Sequence, residues 1–406
     1  MTKINLSNSL LVACLSFAFA ACQNDQLADQ NPSPLSTDYV RFSSGQPTAR
    51  VNGQKQKYIV VLRQDVDVTT LDGETDYDKR STKMRGVINN IVSGKFADRA
   101  EEVYSKALKG FSIRLDADEV NALRNSPYVA SVEPDQMIIL RKPTTTTPTE
   151  PSTQETPWGI SRVGGAVSYT GTNVAWVVDT GIDLDHADLN VDANRGRNFV
   201  GGTSADDDHG HGTHVAGTIA ARNNTVGVVG VAAGAKVVPI KVLDGSGSGS
   251  TSGIISALDY IASVGRAGDV INMSLGGGVS SSLDNAVLNT AARGFFLALA
   301  AGNESQSATN VSPGRVNGTN IYTISAFDSN NLFASFSNFG NPPIDYAAPG
   351  VSIKSTYPGG SYAFMSGTSM ATPHMAGVLL ATGGRPRAIG PVSGDPDGNA
   401  DQMVAR

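Results

Sequence analysis

The chain has 406 residues, 40% of them hydrophobic, which is enough for two or three domains with buried cores and argues against a disordered protein. The formal net charge is −6 at pH 7, so the chain lacks the basic surface on which nucleic-acid binding depends. Both cysteines, Cys14 and Cys22, lie near the N-terminus, and everything after residue 22 must therefore fold without disulfides.

Residues 1–22 are typical of an export signal. Lys3 supplies a positive charge, and residues 10–21 are almost wholly apolar but too few to span a bilayer comfortably. Residues 19–22 (FAAC) are similar to the processing box of bacterial lipoproteins, in which Cys22 would be acylated. Plain secretion with cleavage nearby is the alternative.

Residues 50–142 predict a small α+β domain in which two helices cover one face of a sheet. The predicted strands are 57–62, 110–115 and 129–132, and the predicted helices are 97–108 and 118–125. Residues 143–156 are rich in Thr and Pro and predict an exposed linker, which is where proteases cut.

Residues 157–381 predict an α/β domain of three layers, because apolar strands alternate with helices as they do in a parallel sheet covered on both faces. Strands are expected at 174–178, 236–243, 270–273, 295–300 and 321–325, and helices at 213–222, 252–264, 283–293 and 369–381. Residues 382–406 are rich in Gly, Pro, Asp and Arg and predict an irregular tail.

Polar residues follow three of the predicted strands. They are Asp179, Ser274 and Asn303. Because the carboxyl ends of parallel strands converge on one crevice, we expect these residues to lie near a functional site.

A histidine cluster and a serine at a predicted helix start add candidates for catalysis. Three of the five histidines are His209, His211 and His214, flanked by glycines that allow close approach. Ser369 could serve only as a helix N-cap, but a helix start also offers backbone N–H groups that stabilise an oxyanion. A nucleophilic serine needs a base, and the base needs a carboxylate that orients it. Asp, His and Ser candidates occur in that order along the chain.

Three blocks of the sequence resemble the subtilisin-like serine proteases, most closely the proteinase K branch. They are residues 177–183 (VVDTGID), 211–217 (HGTHVAG) and 367–374 (GTSMATPH), and the likeness covers nearly all of 157–380. The resemblance implies that Asp179 orients the imidazole, His211 acts as base and then acid, and Ser369 attacks the peptide carbonyl. Asn303, in residues 300–303 (AAGN), matches the side-chain amide of the oxyanion hole. The order Asp, His, Ser is the subtilisin order.

The resemblance also implies two substrate-binding edges and an inhibitory propeptide. The edges would pair with an extended protein or peptide substrate as added strands, which predicts broad specificity. A plain flexible loop is the alternative for the first of them. Residues 58–62 (YIVVL) and 132–135 (VEPD) are similar to the family's propeptide, which assists folding and blocks the cleft until it is cut away. The residues of the two edges are Gly247, Ser248, Gly249 and Ser274, Leu275, Gly276.

Calcium is the cofactor that the resemblance implies. Asp345, in residues 344–350 (IDYAAPG), lies where the proteinase K branch often has a calcium carboxylate, with carbonyls near Thr319 and Ile321 completing the set. An unliganded surface Asp is the alternative. Residues 206–208 (DDD) are expected to form a solvated acidic loop, with calcium binding as the second interpretation.

Two other classes of function compete with a secreted serine endopeptidase. The three histidines superficially match an H-x-H-x-x-H zinc cluster, which would make the protein a metal-dependent hydrolase. A non-catalytic scaffold that keeps the fold is the other. Every catalytic position carries a chemically competent residue, and the sequence therefore favours the protease.

Overall fold

The computed structural model describes residues 42–45, 55–92, 94–140, 149 and 153–406. The predicted export signal with Cys22 lies outside the described residues, as does most of the predicted Thr/Pro linker. Among the described residues, none of the helices combines the length and the apolar character that a membrane span requires.

The N-terminal part of the described chain is a small α+β unit. Strand β2 is the centre of its antiparallel sheet, whose order is β3-β4-β2-β5. Strand β6 lies outside this sheet and pairs with β1. The elements are β1 (Phe42–Gly45), β2 (Gln56–Leu62), α1 (Tyr77–Val92), α2 (Gly94–Ala97), β3 (Val103–Tyr104), β4 (Gly110–Leu115), α3 (Ala117–Arg124), β5 (Val129–Pro134) and β6 (Met137–Leu140).

The helix predicted at residues 97–108 is wrong. That segment contains only the end of α2, an irregular stretch and β3, while the longest helix of the unit, α1, was not predicted. The apolar spacing of the segment suits a helix, but the backbone N–H groups of Ser105, Lys106 and Ala107 donate to the carboxylate of Asp259, far along the chain. A tertiary acceptor therefore replaces the i−4 carbonyls that a helix would use.

The larger unit is built on a nine-stranded sheet. Its strand order is β19-β20-β16-β15-β14-β13-β8-β11-β9, with every neighbouring pair parallel except β19 and β20. The predicted parallel α/β class is confirmed. The elements are α4 (Trp158–Arg162), β7 (Val167–Ser168), β8 (Ala175–Asp179), β9 (Arg197–Asn198), α5 (His211–Ala220), β10 (Ala232–Ala233), β11 (Val237–Lys241), β12 (Ser248–Ser250), α6 (Thr251–Val264), β13 (Val270–Met273), α7 (Ser281–Ala291), β14 (Phe296–Ala300), β15 (Ile321–Phe327), β16 (Ile344–Pro349), β17 (Ile353–Tyr357), β18 (Ser361–Met365), α8 (Thr368–Thr382), β19 (Arg387–Pro391) and β20 (Gln402–Ala405).

Strand β8 shows how helices cover both faces of this sheet. Trp176 and Val178 pack in one buried apolar cluster with residues of α6 and α7. Ala175 and Val177 point the other way, into a second cluster that contains residues of α5 and α8. Alternate side chains of a strand face opposite sides, so a strand buried on both sides reads as a continuous apolar run.

The C-terminal tail is ordered, contrary to the prediction of an irregular segment. Strand β20 adds to β16 at the edge of the sheet, and β19 folds back on β20. Asp401 is 3% exposed and accepts hydrogen bonds from the Ser325 hydroxyl and the Asn341 side-chain amide. Local composition did not reveal these strands because their partners lie on distant parts of the chain.

Asp401→Asn should stabilise the protein at alkaline pH. Burial raises the pKa of Asp401 to about 6 from an ordinary value of 3.8. Ionisation of Asp401 therefore costs no folding free energy below about pH 4, an increasing amount as the pH rises from about 4 to about 6, and the full amount above about pH 6. The amide imitates the protonated acid. We expect the free energy of unfolding to rise by about 2 kcal/mol at pH 8, with the gain vanishing by pH 4. Thermal unfolding in a Ser369→Ala background, which avoids autolysis, measures this; a less stable variant at pH 8 would contradict it.

Candidate active site

The carboxyl ends of three adjacent strands form the site. Asp179 is the last residue of β8, Ser274 follows β13 directly, and Asn303 follows β14 after two residues. All three side chains are fully buried. These three polar residues therefore lie together at one edge of the sheet, as predicted.

Helix α5 brings His211 against Asp179. The Nδ1 atom of His211 lies 2.7 Å from Oδ1 of Asp179, and neither side chain is exposed. Gly212 permits this approach, since a Cβ at that position would lie 2.0 Å from the carbonyl oxygen of Gly181. The second ring nitrogen, Nε2, has no hydrogen-bond partner among the described residues.

Helix α8 brings Ser369 to the end of the neighbouring strand. Its hydroxyl donates to the backbone carbonyl of Ser274 at 3.0 Å, and the Ser274 hydroxyl donates to the carbonyl of Ser369 at 2.9 Å. Since β13 is next to β8 in the sheet, this pair of bonds holds Ser369 beside the strand end that carries Asp179. The Ser369 hydroxyl points to the Ser274 carbonyl in this structure, not to His211.

Asn303 is tied to the same helix start. Its Oδ1 accepts a hydrogen bond from the backbone N–H of Thr368 at 2.8 Å, and the Thr368 hydroxyl accepts from the N–H of Gly302 at 3.2 Å. With Oδ1 accepting from the backbone, the N–H₂ end of the amide is the end that can act as a donor.

The first of the two predicted substrate edges is paired with the N-terminal unit. Strand β12 pairs antiparallel with β6, with Gly249 opposite Ile138, and Leu140 donates its N–H to the carbonyl of Gly247 at 2.8 Å. The second edge, at Ser274, Leu275 and Gly276, pairs with no strand among the described residues. Its first residue makes the bonds to Ser369 described above.

Leu140 and Thr149 are each bonded to the larger unit. Leu140 is bonded to Gly247, beyond the end of β11, and Thr149 exchanges backbone hydrogen bonds with Tyr362 in β18, the strand before α8. Only eight residues separate these two attachments. Leu140 also lies beside the first predicted substrate edge, because Gly247 belongs to that edge.

A buried carboxylate of the larger unit holds the smaller one. Asp259, on α6, is fully buried and accepts backbone N–H bonds from Ser105 at 2.8 Å, from Ala107 at 2.9 Å and from Lys106 between them. Burial raises the pKa of Asp259 above its usual range. Nearby, Asp135 accepts from the N–H of Ser252 at 2.9 Å at the start of the same helix.

Asp259→Ala should weaken the hold of the N-terminal unit. Three backbone donors would lose a charged acceptor, and each such bond contributes about 1.5–3 kcal/mol. Water would replace the carboxylate as an acceptor in part. We therefore expect the binding free energy of the N-terminal segment to weaken by at least about 2 kcal/mol, or about 30-fold in affinity. The inhibition constant of the N-terminal segment added to processed protein measures this. Asp185→Asn, an exposed carboxylate elsewhere, is the control; equal inhibition constants for both variants would contradict the prediction.

The three clustered histidines do not converge on one point. His214 is fully buried, its Nε2 lies 2.9 Å from the carbonyl of Ile353, and burial lowers its pKa to about 3, so it is a neutral donor. His211 is turned to Asp179, as described above. Within the described part of the chain, no group of three or more His, Cys, Asp or Glu side chains could hold a metal ion. The zinc interpretation therefore has no support in the geometry.

Two places contain a buried or half-buried carboxylate, Asp345 in the first and Asp188 in the second. Asp345 accepts one bond, from the N–H of Thr323 at 2.8 Å, and burial raises its pKa to about 6. Ile321 begins the neighbouring strand β15, and Thr319 lies two residues before it. A carboxylate and carbonyls are the ligands that calcium takes.

The second place was not predicted. The side-chain N–H₂ of Gln154 lies 2.8 Å from the carbonyl oxygen of Arg222, 3.2 Å from Oδ1 of Asn224 and 3.3 Å from the carbonyl oxygen of Val228. The carboxylate of Asp188 adjoins them, accepting from Asn224 at 2.7 Å. Most of these oxygen atoms belong to backbone carbonyls and side-chain amides, and for this reason no charged motif in the sequence indicated the place.

The acidic run 206–208 is only partly the solvated loop that was expected. Asp206 and Asp208 are exposed. The middle residue, Asp207, is 6% exposed and accepts hydrogen bonds at the start of α5. The prediction is wrong for Asp207 because helix α5 needs acceptors at its N-terminus, and a carboxylate supplies them.

Comparisons with known proteins agree with this geometry. The subtilase family matches residues 170–383, and the peptidase inhibitor I9 family matches residues 57–141. The subtilisin-like serine protease AsES of Sarocladium strictum is 40% identical over 72% of this chain and 74% of its own. The alkaline serine protease ver112 of Corniculantispora psalliotae is 34% identical over 91% and 87%. The crystal structure of a cold adapted subtilisin-like serine proteinase is 36% identical, with a TM-score of 0.55, over 61% of this chain and 96% of its own.

The chain thus belongs to the subtilase family. It is a serine-type endopeptidase that is made as a precursor with an N-terminal I9 inhibitor segment, and its partners are protein or peptide substrates and its own propeptide.

Proposed function

We propose that Ser369, His211 and Asp179 are the nucleophile, the base and the orienting carboxylate of this peptidase. The bond of 2.7 Å between His211 Nδ1 and Asp179 Oδ1 is the observation that carries the proposal, because it fixes the tautomer that leaves Nε2 as the proton acceptor. In the reaction the Ser369 hydroxyl leaves the Ser274 carbonyl, gives its proton to Nε2 and attacks the substrate carbonyl. The imidazolium of His211 then gives this proton to the leaving amine as the peptide C–N bond breaks, which forms the acyl-enzyme. Water, deprotonated by His211 acting again as base, hydrolyses the acyl-enzyme, and the proton returns to Ser369.

Asn303 and the start of α8 would form the oxyanion hole. The side-chain amide of Asn303 and the backbone N–H of Ser369 donate to the oxygen of the tetrahedral intermediate, and the positive end of the helix dipole adds to this stabilisation.

Substrate would bind as an added strand between the two edges. The pairing of β6 with residues 248–250 supports this, since β6 lies on the first edge as an extended peptide would. Backbone bonds then supply most of the affinity, which favours broad specificity. Residues 274–276 would pair with the other side of the peptide.

One experiment tests the assignment of the nucleophile. Active protein is treated with a serine-directed covalent inhibitor, digested, and analysed by mass spectrometry together with N-terminal sequencing. We expect one labelled peptide, modified at Ser369. Label on another serine, or full activity after stoichiometric labelling of Ser369, would overturn the proposal. Loss of hydrolysis to a zinc chelator with the inhibitor harmless would favour a metal-dependent hydrolase, and lack of hydrolysis by processed protein would favour a scaffold.

We further propose boundaries for the precursor. Residues 1–22 form the export signal, 50–142 the propeptide, 143–156 the linker in which the protein cuts itself, 157–381 the peptidase and 382–406 a C-terminal segment. The bond of Leu140 to Gly247, in the first proposed substrate edge, supports self-cleavage in the linker that follows. The N-terminus of the mature protein tests this; a first residue outside 144–157 would reject the linker as the processing region.

We propose that the protein is secreted or bound to the cell envelope, and that its precursor carries a lipid on Cys22. Cleavage in the linker would leave such an anchor on the propeptide and free the protease. Mass spectrometry of the membrane-bound precursor should find an acylated Cys22; an acylated mature form that still contains residue 22 would contradict release.

Calcium is the structural cofactor that we propose. Asp345 with the carbonyls of Thr319 and Ile321 would hold one ion, and Asp188 with the oxygens around Gln154 would suit another. Bound calcium would stabilise the fold and take no part in the hydrolysis.

Chelation should therefore lower the melting temperature. For calcium at 100 times its dissociation constant the stabilisation is about 2.7 kcal/mol, or about 5–10 °C in a domain of this size. Thermal unfolding of the Ser369→Ala chain with calcium and with chelator measures the shift. Asp345→Asn and Asp188→Asn should each reduce it if their site is occupied, while Asp98→Asn, an exposed carboxylate, should not. Identical curves with calcium and chelator would contradict the prediction.

A further inference from the structure

We propose that Asp207 is a positioning residue for His211. Its carboxylate joins the loop that follows Asp179 to the first turn of α5, and so fixes the distance between the two members of the triad. This inference rests on the proposed role of His211 as the catalytic base.

The carboxylate of Asp207 accepts five hydrogen bonds. Its Oδ1 accepts from the Thr180 hydroxyl at 2.8 Å, from the N–H of His209 at 3.0 Å and from the N–H of Gly210 at 2.8 Å. Its Oδ2 accepts from the N–H and the hydroxyl of Thr213, at 2.9 and 2.6 Å. No Lys or Arg side chain forms a salt bridge with it in the described part of the chain, so its charge is held by these donors.

These bonds connect the two halves of the Asp179–His211 pair. Thr180 is the residue after Asp179, and its N–H donates to Asp179 Oδ1 at 2.8 Å. The Thr180 hydroxyl donates to Asp207 and accepts from the N–H of Gly212 at 2.9 Å. The loop that carries the carboxylate and the helix that carries the imidazole therefore meet at one hydroxyl, which Asp207 holds in place.

A plain helix cap does not explain this arrangement. A serine or threonine side chain is enough to cap a helix, and α6 and α7 are capped in this way by Ser250 and Ser280. The carboxylate at 207 caps α5 and in addition binds the hydroxyl of Thr180, on another loop. Its neighbours Asp206 and Asp208 are exposed and bind elsewhere, Asp206 to the N–H of Leu184 and Asp208 to Nζ of Lys241.

Misplacement of a catalytic group by about 1 Å can cost about 100-fold in rate. We therefore expect Asp207→Asn, which keeps the shape of the side chain but cannot accept all five bonds, to lower kcat by about 10- to 100-fold with KM changed less than about twofold. A residue with a purely structural role would instead lower the fraction of folded enzyme. Rates are for this reason divided by the number of active sites, counted by complete labelling with a fluorophosphonate.

The test uses the full chain after its own processing, with Asp208→Asn as the matched control. A second pair of variants covers the case in which Asp207→Asn does not fold: Thr180→Ser keeps the bridging hydroxyl and should retain kcat, whereas Thr180→Val should lose about 10-fold. Unchanged kcat per labelled site in Asp207→Asn, or equal kcat in the two Thr180 variants, would overturn the inference. A His211→Ala chain that still processes itself would overturn the proposed function instead, which keeps the two failures distinct.

Discussion

In the Ser369→Ala chain we expect kcat to fall by about a millionfold and the precursor to stay at its full length. Loss of the proposed nucleophile would remove the acyl-enzyme route, and in subtilisin a knockout of the nucleophile costs about that much. The residual rate comes from the oxyanion hole and substrate binding, which the substitution leaves in place. Hydrolysis of a chromogenic peptide and the mass of the purified chain measure the two effects.

Ser366→Ala is the matched control, because Ser366 lies three residues earlier and its hydroxyl accepts from the backbone N–H of Ser352. This variant should process itself and hydrolyse peptide like the unaltered chain. A Ser369→Ala precursor that matures at the normal rate would show that another residue, or another protease, makes the cut.

Asn303→Ala should lower kcat by about 100- to 1,000-fold and leave KM nearly unchanged. In the proposed role the amide would act on the oxyanion of the transition state and hardly at all on the ground-state carbonyl. The quoted magnitude comes from removal of an oxyanion-hole amide in subtilisin. Steady-state kinetics on enzyme counted by inhibitor labelling separate this from a loss of folded protein, since Asn303 also accepts from the N–H of Thr368.

The control for this change is Asn330→Ala, an exposed amide on a distant loop, which should leave both constants unchanged. A rise in KM at constant kcat in Asn303→Ala would indicate that the amide binds substrate and transition state equally. That result would remove Asn303 from the proposed oxyanion hole.

The central strands and the edge of the sheet that carries the site were predictable from sequence. A strand such as β8, buried on both faces, has no polar position until it ends, so Asp179 marks its carboxyl end directly. The pairing of Ser369 with Ser274 was not predictable, because it depends on how α8 approaches β13 and involves a backbone carbonyl that every residue possesses.

The failures share one cause, which is that the decisive partner lies far along the chain. The amides of residues 105–107 bind Asp259 and so do not form a helix, and β20 forms only because β16 offers it a free edge. Asp207 reads like its exposed neighbours in the sequence, and only its contacts with Thr180 and Thr213 distinguish it. Periodicity and composition describe local preference, and they carry no information about such contacts.

The N-termini of α6 and α7 affect how stable the peptidase remains after its propeptide is removed. At each start a serine of the peptidase itself, Ser250 or Ser280, accepts one backbone N–H, while Asp135 or Glu133 of the propeptide accepts another. When the propeptide is degraded, each helix start loses the carboxylate of the propeptide as an acceptor and keeps the serine hydroxyl of the peptidase. Water can take over the single exposed donor, so the mature enzyme need not unravel from these ends once its folding partner is gone.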